Sequence, residues 1–520
     1  MSDTSDTKAS TTANTAPPSK PSPDLAAMLA LADATFPQAV ARFADFLRIP
    51  SISTDPAHAS DCRTAAQWVA GQLRELGLEA ALHEVNWAPP GHPVVMGHHD
   101  EAGQPGAGDV GTATAGTGTS AGKPTLLFYG HYDVQPVDPL ALWQHPPFEP
   151  TILQESDGRE VMAARGASDD KGQLLTFLEA LRIWQAQSGS LPCNLRILIE
   201  GEEETGGENL PFFLEAHKAQ LDADLVLVCD TGMPNRTTPA VTTSLRGLVA
   251  DEVTIHGADR DLHSGMYGGA AANPATLMAR ALATLHDANG AVTLPGFYEG
   301  VSKPTEQQLA SWRGLFPDEN LPLRAVGLAQ PAGERGFSAL EQTWARPSCD
   351  INGLSSGYEG EGFKTVLPAS ATAKVSFRLV AGQDPEKVRA TFRAHMASHM
   401  PPDVRISFKP YGASPGFALD RDNKWLAPIL EGLSAAWGTK GACIGCGASI
   451  PLAEQMKTIL GLDAFLVGFA QDDDRIHSPN ERYGLDSYRN GIRSWLHILH
   501  RLTQPGAAPG QGNAPAPQPR

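Results

Sequence analysis

The sequence predicts an α/β fold in which helices flank a mainly parallel sheet, with a smaller α+β region inserted into it. Short apolar runs, each followed by polar residues, lie at 126–129, 195–199, 225–228 and 465–467. Runs that are apolar on both faces indicate strands buried in a parallel sheet. Between the first two runs, Leu174, Leu178 and Leu181 follow helical spacing, so strands and helices alternate as in α/β proteins.

Three helices are predicted before the first of these strands. Apolar residues at helical spacing begin at Leu25 and again at Val40, and Pro50 ends the second helix. A third helix is predicted at 62–76, with Gly77 as its cap. The stretch 97–123 is rich in Gly, Ala and Thr, which predicts a flexible surface insertion.

The inserted region has a different pattern. Strands are predicted at 253–255, 372–379 and 404–408, and helices at 274–285 and 388–396. The first helix is expected to start at Asn273, because Pro274 suits its first turn. Apolar and polar residues alternate in the two later strands, which is typical of half-buried antiparallel strands. These features predict a small α+β domain.

The expected organisation is a discontinuous larger domain around an inserted one. The larger domain is predicted at 24–247 and 409–504, the inserted domain at 248–408, and disordered tails at 1–23 and 505–520. A length of 520 residues suits two or three domains, and no apolar run approaches the length of a membrane span.

Charge and cysteine content narrow the functional classes. The net charge of −18 argues against nucleic-acid binding, because a duplex would repel the chain. Six cysteines are too few for a disulfide scaffold of this length, which favours a cytoplasmic location. Cys443 and Cys446 form a CxxC that could be half a zinc site or a redox pair, but no second half is present.

Histidines and carboxylates gather after the predicted strands and before one helix. They are His131, Asp169, Glu203, Glu204, Asp230 and His477. Each alone is weak evidence, because a lone histidine is more often structural and an acidic pair is more often a solvated face. Since carboxyl ends of parallel strands meet at one edge, their joint position predicts a site for two divalent ions of the zinc class.

Five motifs follow one another along the chain: GHYDVQP at 130–136, GASDDKG at 166–172, EGEEETG at 200–206, Asp230, and HSPNE at 477–481. In this order they resemble the metal motifs of a known family. It contains carnosinase, cytosolic non-specific dipeptidase, aminoacylase, acetylornithine deacetylase and succinyl-diaminopimelate desuccinylase. The resemblance covers about 25–502 and is closest to the dipeptidase branch.

The resemblance implies two metal ions per subunit and a role for each residue. The ions would be Zn²⁺, with Mn²⁺ or Co²⁺ as alternatives. The implied metal ligands are His131 and Asp230 for one ion, Glu204 and His477 for the other, and Asp169 as a bridge. Asp133 would orient His131, and Glu203 would act as general base on a metal-bridging water. The peptide bond between Asp169 and Asp170 is expected to be cis.

Two alternatives to this ligand set are weighed within the sequence. The segment 97–100, Gly-His-His-Asp, imitates the first motif but lacks the Val-Gln-Pro that follows it. The run of glutamates allows either Glu202 with Glu203 or Glu203 with Glu204. The following Thr-Gly favours the second pair, because the resembling family has its pair directly before a small residue and glycine.

The dipeptidase branch is indicated by DLHSGMYGG at 261–269 and GFKTVLP at 362–368. By this resemblance the inserted domain is a ferredoxin-like lid and dimerisation domain, and the chain forms a homodimer through it. His263 would reach across the dimer to stabilise the oxyanion, while Thr365, Arg378 and Ser449 would bind the substrate. Cys446 stands where an acid is expected, which leaves the specificity of that pocket open.

The implied function is metal-dependent hydrolysis of the peptide bond in dipeptides or short peptides. One alternative is an N-acyl amino-acid deacylase, of the desuccinylase or deacetylase type, that uses the same site. Another is a non-catalytic binding protein that has kept the fold. The expected partners are a small peptide substrate and a second copy of the chain, with neither nucleic acid nor membrane.

Overall fold

A computed structural model of the chain describes residues 24–89, 91–101 and 123–504. Both tails predicted to be disordered, and residues 102–122 of the predicted insertion, lie outside the described residues. The predicted start of that insertion is wrong, because residues 97–99 belong to a strand. Gly97 is a packing residue there: a Cβ at this position would lie 3.0 Å from Leu73 and 3.4 Å from Ile197.

The α-helices are α1 Leu25–Ala34, α2 Phe36–Leu47, α3 Ala59–Glu75, α4 Lys171–Ser188, α5 Leu210–His217, α6 Ser264–Tyr267, α7 Pro274–Ala283, α8 Glu306–Leu315, α9 Leu321–Ala325, α10 Ala339–Trp344, α11 Pro385–Ser398, α12 Leu426–Trp437, α13 Pro451–Gln455 and α14 Leu485–Leu502. The predicted start of α7 is confirmed, since the side chain of Asn273 accepts a hydrogen bond from the Ala275 N–H. Gly77 follows α3 with a φ of 79°, as expected of a helix-terminating glycine.

The strands are β1 Glu79–His83, β2 Val94–His99, β3 Thr125–His131, β4 Thr151–Gln154, β5 Glu160–Ala163, β6 Asn194–Glu200, β7 Leu225–Val228, β8 Ala240–Leu245, β9 Gly247–His256, β10 Leu262–His263, β11 Ser348–Ser356, β12 Val366–Leu367, β13 Ser370–Leu379, β14 Arg405–Ser414, β15 Phe417–Ala418, β16 Ala442–Cys446, β17 Ala464–Leu466 and β18 Arg482–Gly484.

The main sheet has the order β1-β2-β6-β3-β7-β17-β8-β15, and β16 pairs with β8. Its central strands β6, β3, β7 and β17 are parallel to one another, which confirms the predicted mainly parallel sheet. Helices α4 and α14 pack together beside it, where the Phe128 and Phe177 rings stack 3.9 Å apart and Trp495 meets both edge-on. This packing fixes the strand ends that carry the polar motifs.

A second sheet forms the inserted region, in the order β11-β13-β9-β14. All of its pairings are antiparallel, and α7 and α11 pack on it, so its β-α-β-β-α-β order is ferredoxin-like as expected. Its core is a separate apolar cluster that includes Val253, Phe377 and Phe392. Strand β14 continues to Ser414, beyond the predicted boundary at 408. The exact domain limits therefore stay a prediction.

Helices α8, α9 and α10 lie between α7 and β11 and were not predicted. Thr305 and Ser338 start α8 and α10 with capping boxes. Trp312 and Leu340 form a small apolar cluster with Trp344, and α8 and α10 contact β16 of the main sheet. This helical segment thus joins the inserted region to the edge of the larger sheet.

Candidate metal centre

The polar residues after the strands converge at one edge of the main sheet. His131 is the last residue of β3, and Asp230 lies two residues beyond β7. Glu203 and Glu204 follow β6 in a short 3₁₀ helix, Glu203–Thr205. Because β3, β6 and β7 are adjacent and parallel, their carboxyl ends bring these side chains together.

Asp169 lies between two imidazoles. Its Oδ1 is 3.1 Å from His131 Nε2, and its Oδ2 is 2.9 Å from His477 Nε2. A carboxylate that presents each of its oxygens to a different histidine has the geometry of a bridging ligand. The peptide bond between Asp169 and Asp170 is cis, as predicted.

Two groups of potential metal ligands share Asp169. One adds His131 and Asp230, the other adds Glu204 and His477, and within each group the donor atoms all lie within 4.8 Å of one another. Glu204 Oε2 is 3.2 Å from His477 Nε2, while its Oε1 is buried without a hydrogen-bond partner. Imidazole nitrogens and carboxylate oxygens are suitable zinc ligands, so these residues fit a pair of divalent ions.

Asp133 contacts one residue from each of the two ligand groups, His131 and Glu204. His131 Nδ1 lies 3.1 Å from the Asp133 carbonyl and 3.3 Å from its carboxylate Oδ1. The other carboxylate oxygen accepts hydrogen bonds from the Ser53 hydroxyl at 2.6 Å and the Glu204 N–H at 3.1 Å. A partner at Nδ1 directs Nε2 towards the centre, which is how a metal-binding histidine is normally oriented.

Two acids of the segment 471–481 hold the loop that carries Asp169. Glu481 Oε1 accepts hydrogen bonds from the N–H groups of Ser168 at 2.9 Å and Asp169 at 3.1 Å, and its Oε2 accepts one from Gly166 at 2.9 Å. Asp474 accepts a hydrogen bond from the Ser168 hydroxyl at 2.7 Å. Neither role was predicted, although the motif that contains His477 also contains Glu481.

The centre carries a large excess of buried negative charge. Hydrogen bonds to Asp169 and Glu204 raise the pKa of His477 to about 10. Burial, together with the nearby Asp169 carboxylate, raises the pKa of Asp230 well above its ordinary value. Burial likewise raises the pKa of Glu203 to about 7. Divalent cations would balance this charge, because they favour the ionised carboxylates.

Residues 127–501 match the profile of Peptidase family M20/M25/M40. The chain belongs to this peptidase family. Membership agrees with the resemblance seen in the sequence, and the family is metal-dependent, in accord with the two ligand groups. None of the described helices of this M20/M25/M40 peptidase combines the length and apolar character that crossing a membrane requires.

Curated relatives and solved structures of the family cover most of the chain. The Cys-Gly metallodipeptidase dug1 of Schizosaccharomyces pombe is 27% identical over 475 residues, covering 89% of this chain and 95% of that protein. The human Beta-Ala-His dipeptidase is 28% identical over 393 residues, 74% of this chain and 76% of that protein. An M20 family metallo-carboxypeptidase from Sulfolobus solfataricus superposes with a TM-score of 0.74 and 28% identity, covering 89% and 99% of the two chains.

The predicted substrate residues of this M20/M25/M40 peptidase form two pairs. Arg378 Nη1 donates a hydrogen bond to Ser449 Oγ at 2.9 Å. His263 lies opposite Val366 in the β10–β12 pairing, and Ser264 N–H donates to the carbonyl of Thr365 at 3.1 Å. Within the described ranges, neither His263 nor Thr365 forms a hydrogen bond or ion pair with a residue of the metal centre, and both side chains are exposed.

The alternatives raised by the sequence lie away from the centre. His98 is on strand β2, between β1 and β6, and contacts Glu79 at 3.2 Å. Glu202 accepts hydrogen bonds from the His92 N–H at 2.7 Å and the Asn209 amide at 2.9 Å, so it is engaged elsewhere.

The CxxC does not form a site of its own. All six cysteines are free. Cys443 and Cys446 stand three residues apart in β16, roughly 10 Å in an extended strand, which is too far for a disulfide. Cys443 interacts with Arg421 and Cys446 with Arg246, so the two thiols do not share surroundings.

Proposed function

We propose that this peptidase hydrolyses the peptide bond of dipeptides or short peptides with two divalent ions, Zn²⁺ being the best match and Mn²⁺ or Co²⁺ alternatives. The observation that carries the proposal is the position of Asp169, with one oxygen near His131 and the other near His477. A shared carboxylate between two nitrogen and oxygen donor groups is the arrangement of two-metal hydrolases. Names of the curated relatives, a Cys-Gly and a Beta-Ala-His dipeptidase, support dipeptides as substrates.

Two ions bound there would polarise the scissile carbonyl and make a water molecule more acidic. Glu203 would accept a proton from the attacking water and deliver it to the leaving amine. A carboxylate whose pKa is raised to about 7 by burial suits both steps, because it can gain and lose a proton near neutral pH. Asp133 would keep His131 in the tautomer that directs Nε2 to the centre.

The remaining predicted residues would bind the substrate. Arg378, hydrogen-bonded to Ser449, would take the terminal carboxylate, since a guanidinium can form two parallel hydrogen bonds with it. Thr365 and His263 lie side by side in the inserted region and would act on the substrate after a second copy has docked.

A homodimer through the inserted domain is part of the proposal. His263 is exposed, and beside it Met266 and Phe363 expose 75% and 91% of their surface. Large apolar side chains at such exposure are a feature of interaction surfaces. A cytoplasmic location agrees with the free cysteines and stays a prediction.

Metal removal tests the function directly. Protein stripped with a chelator should lose dipeptide hydrolysis and regain it with two equivalents of Zn²⁺ or Mn²⁺ per subunit. A substrate panel of dipeptides, N-acetyl amino acids and N-succinyl amino acids separates a dipeptidase from the deacylase alternative. Unchanged activity after complete metal removal contradicts the two-metal mechanism, and exclusive cleavage of N-acyl amino acids would show the deacylase instead.

A further inference from the structure

Arg246 and Arg378 form hydrogen bonds with the same short loop, residues 447–449, at the proposed site for the substrate carboxylate. Arg378 binds the Ser449 hydroxyl, and Arg246 Nε donates to the carbonyl of Gly447 at 3.1 Å. The backbone N–H of Arg246 also donates to the carbonyl of Ala448 at 3.2 Å. The strand register brings the two together, because Arg378 lies opposite Leu248, two residues after Arg246.

Neither guanidinium has an acidic partner among the residues that the structure describes. Within the described ranges, Arg246 and Arg378 form no ion pair, and Arg246 Nη2 together with Arg378 Nε and Nη2 makes no hydrogen bond. Both residues are half-buried. By contrast, the buried guanidiniums of Arg165 and Arg346 each meet a glutamate, at 2.7 and 2.8 Å.

Adjacent positive charges that are partly removed from water are unfavourable without a counter-charge. Burial, followed by the neighbouring Arg378, lowers the pKa of Arg246 to about 10, which is the sign of this unfavourable environment. Asp350 acts on Arg246 at longer range, but its carboxylate accepts a hydrogen bond from the Ser348 hydroxyl. An anion bound to Arg246 and Arg378 would supply the missing counter-charge.

Cys446 leaves this charge uncompensated. It is the residue before Gly447 and interacts electrostatically with Arg246. Among the described residues its sulfur accepts a hydrogen bond only from the Ala448 N–H, at 3.4 Å. Gly447 makes room for the guanidinium, since a Cβ there would lie 3.1 Å from Arg246 Nη2. A carboxylate at position 446 would have neutralised one arginine, whereas the thiol does not.

We infer that Arg246 and Arg378 form a subsite for two carboxylates, which selects peptides whose C-terminal residue is aspartate or glutamate. Arg378 takes the terminal carboxylate, and the unpaired donors of Arg246 take the carboxylate of the side chain. This inference rests on the proposed function, because it assigns the carboxyl-terminal end of the substrate to the Arg378–Ser449 pair.

A matched substrate pair tests the inference on the metal-loaded enzyme. Ala-Glu and Ala-Gln have nearly the same shape and differ by one negative charge. We expect kcat/KM for Ala-Glu to exceed that for Ala-Gln at least about tenfold, which corresponds to ~1.4 kcal/mol. Rising salt should reduce this ratio, because the added interaction is between charges.

Cys446→Glu and Cys446→Gln form a matched pair of variants, since they add side chains of equal size and replace a side chain that makes no hydrogen bond to either arginine. Cys446→Glu should abolish the preference for Ala-Glu, because the new carboxylate pairs with Arg246. Cys446→Gln should keep it. Equal rates for the two dipeptides in the wild type, or equal effects of the two variants, overturn the inference while leaving dipeptide hydrolysis intact.

Binding of the free amino acids gives a measurement that does not depend on turnover. Calorimetric titration of the metal-loaded protein should give tighter binding of L-glutamate than of L-glutamine in the wild type, and no difference in Cys446→Glu. If no dipeptide of the substrate panel is cleaved, the proposed function fails, and this titration decides the subsite by itself: equal affinities overturn it, and selective glutamate binding supports it.

Discussion

The carboxylate of Glu481 lies against the backbone of Asp169, whose N–H donates a hydrogen bond to Oε1 over 3.1 Å. Glu481 is four residues from His477, and the His477 imidazole in turn contacts the Asp169 carboxylate. One buried acid therefore fixes the distance between two candidate ligands that are 308 residues apart in the chain.

Glu481→Gln should weaken the site shared by Asp169 and His477. The amide replaces one acceptor oxygen with an N–H₂ group that faces backbone N–H donors, so the Asp169 loop loses its anchor. We expect a roughly 10–100-fold loss of affinity for one of the two ions, as for other residues that orient metal ligands. Titration with Co²⁺, followed by its visible absorption, measures this.

Glu179→Gln is the matched control for Glu481→Gln. Glu179 is equally buried and is paired with an arginine, Arg42, but it makes no contact with the metal centre. Both variants should unfold at lower temperature, while only the change at Glu481 should alter Co²⁺ binding. Two ions bound with wild-type affinity by the Glu481 variant would contradict the positioning role.

Glu203→Gln should remove proton transfer without emptying the site. The amide cannot accept the proton of the attacking water, so kcat should fall by about 10²–10⁴-fold. Metal content, measured by mass spectrometry, should remain at two ions per subunit. Glu208→Gln, an exposed neighbour, should behave as the wild type. Activity of the Glu203 variant within a few-fold of the wild type would exclude Glu203 as the general base.

Metal binding should release protons. Asp169 and Glu204 raise the pKa of His477 to about 10, so its imidazole is protonated at pH 7 before a cation arrives. Below this pKa, the metal ion must displace the proton from His477. Metal affinity should therefore fall about tenfold for each unit by which the pH decreases. Calorimetry at pH 7 in buffers of different ionisation enthalpy counts the protons released. Affinity that is constant between pH 6 and 9 would be incompatible with this scheme.

His263 and Glu203 should complement each other between subunits. His263→Ala and Glu203→Ala homodimers should both be nearly inactive. A randomly assembled equal mixture should recover about a quarter of wild-type activity, because half of the dimers are mixed and each has one complete site. The proteins are co-expressed and assayed after light scattering has measured their mass. A monomeric mass, or mixtures without recovery, would rule out a shared site.

His497 should make the protein less stable in mild acid. Burial, and then the charges of Arg493 and Arg501, lower the pKa of His497 to about 4 in the folded state. The unfolded chain binds a proton at higher pH than the folded one, so stability is lost as pH falls from about 6.5 towards 4. His497→Gln should narrow the difference between urea midpoints at pH 8 and pH 5. A difference between the midpoints that is the same in the variant and the wild type would contradict this role of His497.

The grouping of the candidate ligands was predictable because it depends on strand order. His131 and Asp230 each follow an apolar run, and the parallel arrangement of those runs places their ends at one edge. Strand β2 was not predictable in this way. Its pairing with β1 and β6 depends on partners elsewhere in the chain, and the nearby run of glycines made Gly97 resemble a flexible segment.

The part played by Glu481 shows a second limit of sequence patterns. Its identity was visible within the HSPNE motif, but its acceptor oxygens meet backbone N–H groups up to 315 residues earlier. Every residue except proline has a backbone N–H group, so no local sequence pattern shows which of these groups will meet Glu481. The same holds for Arg246, whose proposed role depends on the loop that it contacts and on its having no ion pair within the described part of the chain.

The two histidines of the centre differ in their access to water. The side chain of His131 is completely buried, whereas that of His477 is 52% exposed and lies on a loop where its own φ is 60°. An ion held partly by His477 would therefore exchange with its surroundings faster than one held by His131. During metal starvation the enzyme would pass through a species with a single ion, so the cellular supply of that metal could set its activity.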